Sequence, residues 1–366
     1  MNTQTLGEIT LKEWLFRMKF YYSSLYIHET LSSFEDLKNK IDPQLIELYL
    51  DTNICIYLTK LYKEPSSLVS QTDNTFEELL GLLKNIETNN LLVDFSLGLE
   101  ESCRELSNFE INMSKFNDMN NAIRSLFEMD YFQMLQHSKL IKFEPFIKHE
   151  TRKTNSKTNS LESVSSFQRL LFVSYACLLK MYILDKKKNL KSNTQLIIEY
   201  FDFVEKEIDI FSASITMFAH YYFSGNNKIR KLIHKTKNND EDKLHAIWNA
   251  SLDLTFPALV SQKFLKDKII PVFVTADENL WLIFDSMKMK FMITNGTEAA
   301  LPPFLEVDYT RTNWTQAELQ EINNFYDGIM ERRKYKFVFN NFDQEELINR
   351  MRILCFNLEK ELKNSL

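Results

Sequence analysis

The chain has 366 residues but only 6 Gly and 7 Pro, where average usage would supply roughly 26 and 18. Turn-dense all-β architectures, which need a Gly/Pro-rich connection every ~8–12 residues, are thereby disfavoured. The sequence reads as a helix-rich globule, long enough to bury a core without staples. Lys plus Arg number 44 against 50 Asp plus Glu, a net charge of −6, which favours solubility without announcing a polyanionic partner. Nucleic acid is not excluded, because a carboxylate metal site is locally acidic and phosphate-binding charge can lie elsewhere on the surface.

The elements are expected in the following order. Residues 1–44 form an N-terminal extension whose opening, Met1 to Lys12, is polar and unlike a secretory signal. Leu45 to Leu50 (LIELYL) reads as a short strand ending at Asp51, and Leu91 to Phe95 (LLVDF) as a second strand followed by the helical GLEESCREL. Together they make the first part of an α/β core, 45–110. A helical insertion follows over 111–238. In it, Ile123, Phe127, Tyr131 and Met134 recur at helical spacing within Met119 to Phe146, an apolar helix spans Phe167 to Leu184, and another runs from Thr194 to Tyr222.

Glu150 to Ser166, polar and without an aromatic residue, reads as a flexible loop. The longest apolar run, Leu170 to Leu179, stops at Lys180, well short of the roughly twenty residues a membrane crossing needs. No membrane partner is therefore expected. The second part of the core covers 239–299. Ile269 to Thr275 (IIPVFVT) is its most strand-like segment, with Pro271 tolerated near the start, and Lys288 to Thr294 (KMKFMIT) is a candidate fourth strand. Residues 300–366, with helical patterns over Gln316 to Arg333 and Gln344 to Leu362, form a C-terminal extension. Strand alternating with helix argues for a small parallel sheet, with the helical block inserted between its second and third strands.

Cys55, Cys103, Cys177 and Cys355 form no CxxC pair and read as reduced core residues of a cytoplasmic protein. The six histidines form no HxxxH or HD pair, and neither G-x-S-x-G nor a P-loop occurs.

Sites on open α/β sheets form at the carboxyl ends of the strands, and the residues there are acidic each time. Asp51 follows LIELYL, Glu100 and Glu101 follow LLVDF, and Asp277 follows PVFVT by two residues. Asp253 lies in the helical segment leading into that last strand. Four converging carboxylates repel one another unless a cation joins them, and hard oxygen ligands suit Mg²⁺ or Mn²⁺. Each residue taken singly also serves as an ordinary helix cap.

YLDTNICIYL (Tyr49 to Leu58) resembles the opening signature of PIN-domain nucleases, and VFVTADENL (Val272 to Leu280) resembles their last acidic motif. SLGLEESCREL and NASLDLTFPALV are similar to the two motifs between, in the family's order. The resemblance covers less than a third of the chain. It implies an α/β fold with a small parallel-sheet PIN-like core; the large all-helical insertion and the helical C-terminal extension depart from the family's minimal domain, which has no counterpart to them. It further implies that Asp51, Glu101, Asp253 and Asp277 hold Mg²⁺ or Mn²⁺ and carry catalysis, with Asn53 and Thr275 as supporting polar groups. Glu100 competes with Glu101, which the order GLEESCR favours, and Asp242 and Asp240 compete with Asp253, although NNDED reads as a solvated helix start.

The activity implied is metal-dependent endoribonuclease chemistry on a nucleic acid, RNA by resemblance, in a toxin, defence or processing role. Lys228, Arg230 and Lys231 in KIRKLIHKTK, and Arg332 and Arg333 in RRKYK, are the candidate nucleic-acid contacts. The Lys186 to Lys188 run reads instead as a cluster complementing a helix dipole. The insertion offers a surface for an antitoxin-like regulator or a homo-oligomer. The rival reading is a catalytically silent PIN-like or helical protein acting as a binding or regulatory module.

Overall fold

The structure is a computed structural model that describes residues 43–69, 75–105, 110–141, 164–234, 240–267, 270–277, 280, 283, 287–291, 304–333 and 344–364. Almost all of the N-terminal extension, most of the loop expected over Glu150 to Ser166 and the end of the RRKYK motif lie outside these residues. The chain divides into two compact units, Met1–Asn159 with Leu259–Trp281 and Lys288–Leu305, and Ser160–Ala258 with Leu282–Met287 and Glu306–Leu366.

In the first unit, strand β1 (Ile46–Leu50) leads into helix α1 (Thr52–Lys63), α2 (Pro65–Val69) and α3 (Thr75–Asn89), followed by β2 (Leu92–Asp94) and α4 (Ser96–Cys103). Two helices, α5 (Met113–Phe127) and α6 (Tyr131–His137), come next. The periodic stretch expected from Met119 is thus broken after Phe127. Asp130 caps α6 in a reciprocal capping box with Gln133, which satisfies otherwise orphaned backbone N–H groups and starts a new helix.

The sheet has three strands in the order β2-β1-β3, with β3 at Ile270–Val274, and both pairings are parallel. Ile46, Leu48, Tyr49 and Leu50 of the central strand are buried, as expected for a parallel sheet covered on its faces. The Asp51 N–H donates to the Val274 carbonyl at 2.9 Å, carrying the β1–β3 ladder one residue past the strand. The candidate fourth strand does form, as β4 (Met287–Phe291), but it pairs with β5 (Phe304–Val307) in a separate two-stranded sheet. It therefore contributes nothing to the parallel sheet's carboxyl edge.

The second unit is built from α7 (Val164–Asp185), α8 (Asn193–Phe203), α9 (Ala213–Phe223), α10 (Asn227–Ile233) and most of α11 (Asp240–Asp267), together with α12 (Gln316–Arg333) and α13 (Gln344–Asn364). Its core is aromatic, with Tyr175, Tyr200, Phe201, Phe218, Tyr221, Tyr222 and Trp248 fully buried. The Tyr175 hydroxyl reaches Glu359 at 2.9 Å and fastens α13 to α7. The single helix expected from Thr194 to Tyr222 is interrupted. A π-helical turn over Val204–Ile208 ends at Asp209, whose φ of 62° is left-handed, and α9 starts afresh. All four cysteines are free and buried. Among the described residues no helix is long and apolar enough to cross a membrane.

Candidate metal centre

Because the three strands are parallel, their carboxyl ends share one edge, and the residue after β1 is Asp51. Its side chain caps α1 by accepting the Thr52 N–H at 2.8 Å on Oδ1, and its Oδ2 accepts the Thr275 hydroxyl at 2.6 Å. Asp51 is 1% exposed. Burial pushes its carboxyl up from 3.8 to about 6; the nearby negative charge of Asp277 adds to the rise, while the Thr275 and Thr52 donors oppose it.

Helix α4 brings the second carboxylate. It starts at Ser96, whose N–H and hydroxyl both donate to Asp94, at 2.8 and 2.6 Å, and Gly98 is its point of closest approach to β1. A Cβ built on Gly98 would lie 2.7 Å from both the Leu50 carbonyl oxygen and the Cys55 Sγ, and 3.1 Å from the Asp51 carbonyl carbon. Only glycine allows this packing. One turn later, Glu101 accepts the Thr52 hydroxyl, and a Glu101 carboxylate oxygen lies within 4.8 Å of one on Asp51. Both residues are buried.

The adjacent glutamates have different partners. Glu100 is taken by Arg104 one turn on, at 3.3 Å, in a buried ion pair. Burial still pushes the Glu100 carboxyl up, with Arg104 opposing.

Asp277 stands two residues past Thr275. Its N–H donates to the Thr275 hydroxyl at 3.1 Å, and its Oδ1 accepts the Leu280 N–H at 3.2 Å. It is linked to Asp51 through Thr275 and by its charge. Asn53 is exposed on the first turn of α1. Asp253 is half-buried on α11 and belongs to the second unit; α11 continues without a break into the residues that precede β3. Its competitor Asp242 is half-buried on the same helix, about three turns earlier.

Asp51 and Glu101 form a buried pair of hard oxygen donors. Two carboxylates this close cannot both keep their charge cheaply without positive charge beside them, and small divalent cations with one or two protein carboxylates meet that need. The donor set therefore fits Mg²⁺ or Mn²⁺.

The expected nucleic-acid contacts lie on the second unit and differ in availability. Lys228 and Lys231 are exposed. Arg230 is bound to Asp185 at 2.6 Å, Arg332 holds Glu205 in a fork at 2.9 and 2.8 Å, and Arg333 is buried against Asp209. These three arginines are committed to the fold.

No family model, curated protein or solved structure matches the chain.

Two residues of the first unit's site were not singled out from the sequence. Thr52 stood beside Asp51 as an ordinary helix-opening residue, and nothing local tells that its hydroxyl reaches α4. Gly98 carried a signal, since a chain with 6 Gly in all places one inside a helix only against its propensity.

Proposed function

We propose that this chain is a divalent-metal-dependent nuclease that hydrolyses phosphodiester bonds, with Mg²⁺ or Mn²⁺ as its ion and RNA as its substrate. The observation that carries the reading is the buried Asp51–Glu101 pair at the carboxyl edge of the parallel sheet, with Asp277 linked to it through Thr275. The likeness of the DTN and TAD segments to PIN-domain motifs supports the same conclusion, and it supplies RNA as the substrate and Asp277 as a further ligand.

A bound ion would supply Lewis acidity, polarising the scissile phosphate and making water acidic enough to attack near neutral pH. The chain's own residues do the rest. Asp51 and Glu101 hold the ion, and both must be ionised to do so. Thr275 and the Thr52 N–H fix the Asp51 carboxylate from two sides, while the Thr52 hydroxyl orients Glu101. Preorganised donors of this kind spare reorganisation when the reaction occurs. The low accessibility of Asp51 keeps water from competing at its oxygens.

A second reading has an observation of its own: Asp51 caps α1 and Asp277 accepts the Leu280 N–H, roles that a silent binding module would also need. Calorimetric titration of the full chain with Mn²⁺, paired with cleavage of single-stranded RNA, separates the two. Binding with cleavage supports the nuclease. Binding without cleavage of RNA or DNA supports the module, and absence of Mn²⁺ binding defeats the metal site.

A further inference from the structure

The sequence shows two separate basic runs, Lys186 to Lys188 and Lys228 to Lys237, and the fold of the second unit joins them. Asp185, the last residue of α7, accepts a hydrogen bond from Arg230 of α10 at 2.6 Å. His234, the C-cap of α10, lies between two tyrosines. Its ring is stacked on Tyr182 at 4.6 Å and on Tyr222 at 5.7 Å, and its Nε2 is 2.6 Å from the Tyr222 hydroxyl. The Arg230 guanidinium covers the Tyr222 ring at 4.7 Å. These contacts hold the end of α7 and the whole of α10 in one register.

The charge gathered there is positive. Arg230 is neutralised by Asp185, whereas Lys187 and Lys191 share the single carboxylate of Glu199, which leaves that group with a surplus positive charge. Lys186 donates to the Leu362 carbonyl at 3.3 Å and is turned toward α13. Lys188, Lys228 and Lys231 are exposed and take part in no ion pair among the described residues. Lys228 and Lys231, three apart, lie on one face of α10. Lys188 follows Asp185 by three residues, and the Asp185 carboxylate lies 3.6 Å from the His234 Nε2, so cations from both runs flank the partly buried Tyr182–His234 stack.

We infer that this joined surface binds single-stranded nucleic acid, with Lys188, Lys228 and Lys231 neutralising successive phosphates beside the Tyr182–His234 stack. Spaced lysines that can follow a flexible phosphate chain, set around aromatic rings, are what single strands use and what a rigid duplex does not require. Arg230 is the tie that builds the surface and is not itself a phosphate contact. The inference takes its partner class from the proposed nuclease activity, but it concerns residues outside the carboxylate site and is tested without cleavage.

The test is fluorescence anisotropy of a labelled oligouridylate of about fifteen nucleotides, titrated with the full-length protein in chelator. The wild type is expected to bind with strong salt dependence. Replacing Lys188, Lys228 and Lys231 together with Gln should weaken binding more than about tenfold at about 50 mM salt and reduce the log–log salt slope by about 2. The triple Lys→Arg variant should bind as the wild type does, and circular dichroism should show all three proteins equally helical. Unchanged binding by the Gln variant overturns the inference. So does a wild type that ignores the oligonucleotide, including one that binds phosphatidylserine vesicles instead. RNA binding in a protein that takes up no Mn²⁺ defeats the nuclease reading and leaves this one standing; Mn²⁺-dependent RNA cleavage by a protein whose oligonucleotide binding is unchanged in the Gln variant does the reverse.

Discussion

The hydroxyl of Thr52 donates to the carboxylate of Glu101, 49 residues further along the chain. Thr52 also offers its N–H to Asp51, so one residue orients both members of the carboxylate pair. Groups that orient ligands commonly change metal affinity 10–100-fold when removed. Thr52→Val keeps the shape and the N–H but removes the hydroxyl, and should weaken Mn²⁺ binding about tenfold by calorimetry. Thr52→Ser should restore it. Equal affinities for Thr52→Val and wild type would remove Thr52 from the site.

Gly98→Ala places a methyl 2.7 Å from the Leu50 carbonyl oxygen and the Cys55 Sγ. The first of these is backbone and cannot swing away, so α4 must shift. Overpacking of this kind costs about 1–3 kcal/mol, to be read from urea unfolding. The shift should carry Glu101 away from Asp51, so Mn²⁺ affinity should fall as well. Full stability with full affinity would contradict the close packing described for α4.

Asp51 sets a pH dependence whose sign follows from its raised pKa. Burial pushes the native carboxyl up from its ordinary 3.8 to about 6, so the folded protein holds this proton more tightly than the unfolded chain does. The stabilisation is complete below the unfolded pKa and is lost as pH rises through the folded one. A shift from 3.8 to about 6 corresponds to about 3 kcal/mol. Without divalent metal, the wild type should lose stability relative to Asp51→Asn between about pH 4 and about pH 7. Added Mn²⁺ should reverse the trend by binding the ionised form. Denaturant melts of both proteins across that range provide the check.

In the second unit, neighbouring arginines should behave differently. Arg333 is buried, donates to the Asp209 carbonyl at 2.6 Å as well as to its carboxylate, and covers the Phe211 ring at 5.1 Å. Arg333→Ala leaves a poorly solvated aspartate without its partner and should cost about 3 kcal/mol. Arg332 is itself exposed, at 59%, although the Glu205 it forks is largely covered; solvent can replace the guanidinium, and Arg332→Ala should cost far less than Arg333→Ala. Comparable losses for both would mean that burial does not decide the strength of these pairs.

The sequence exposes the α/β core because β1, β2 and β3 are short apolar runs ended by polar residues, a pattern that survives folding with shifts of one residue at most. The β4–β5 pairing was not legible. KMKFMIT looks like any half-buried strand, and its partner, Phe304–Val307, is four residues long. The break at Asp209 was also hidden, because apolar periodicity continues across it while the left-handed backbone is fixed by Arg333 from far along the chain. At the candidate site, the acidic positions after the strands are visible because topology alone brings them to one edge. The separate partners of Glu100 and Glu101, and the bridging hydroxyl of Thr52, depend on side-chain directions that spacing does not encode.

The most direct measurement is the rate at which the full-length protein cleaves end-labelled single-stranded RNA with Mn²⁺, set beside the rates for Asp51→Asn and Glu101→Gln. Cleavage by the wild type that chelator abolishes, and that either substitution reduces by about a hundredfold or more, is the result predicted for an ion held by this carboxylate pair. Folded variants that cleave RNA as fast as the wild type would contradict it, as would a wild type that cleaves none.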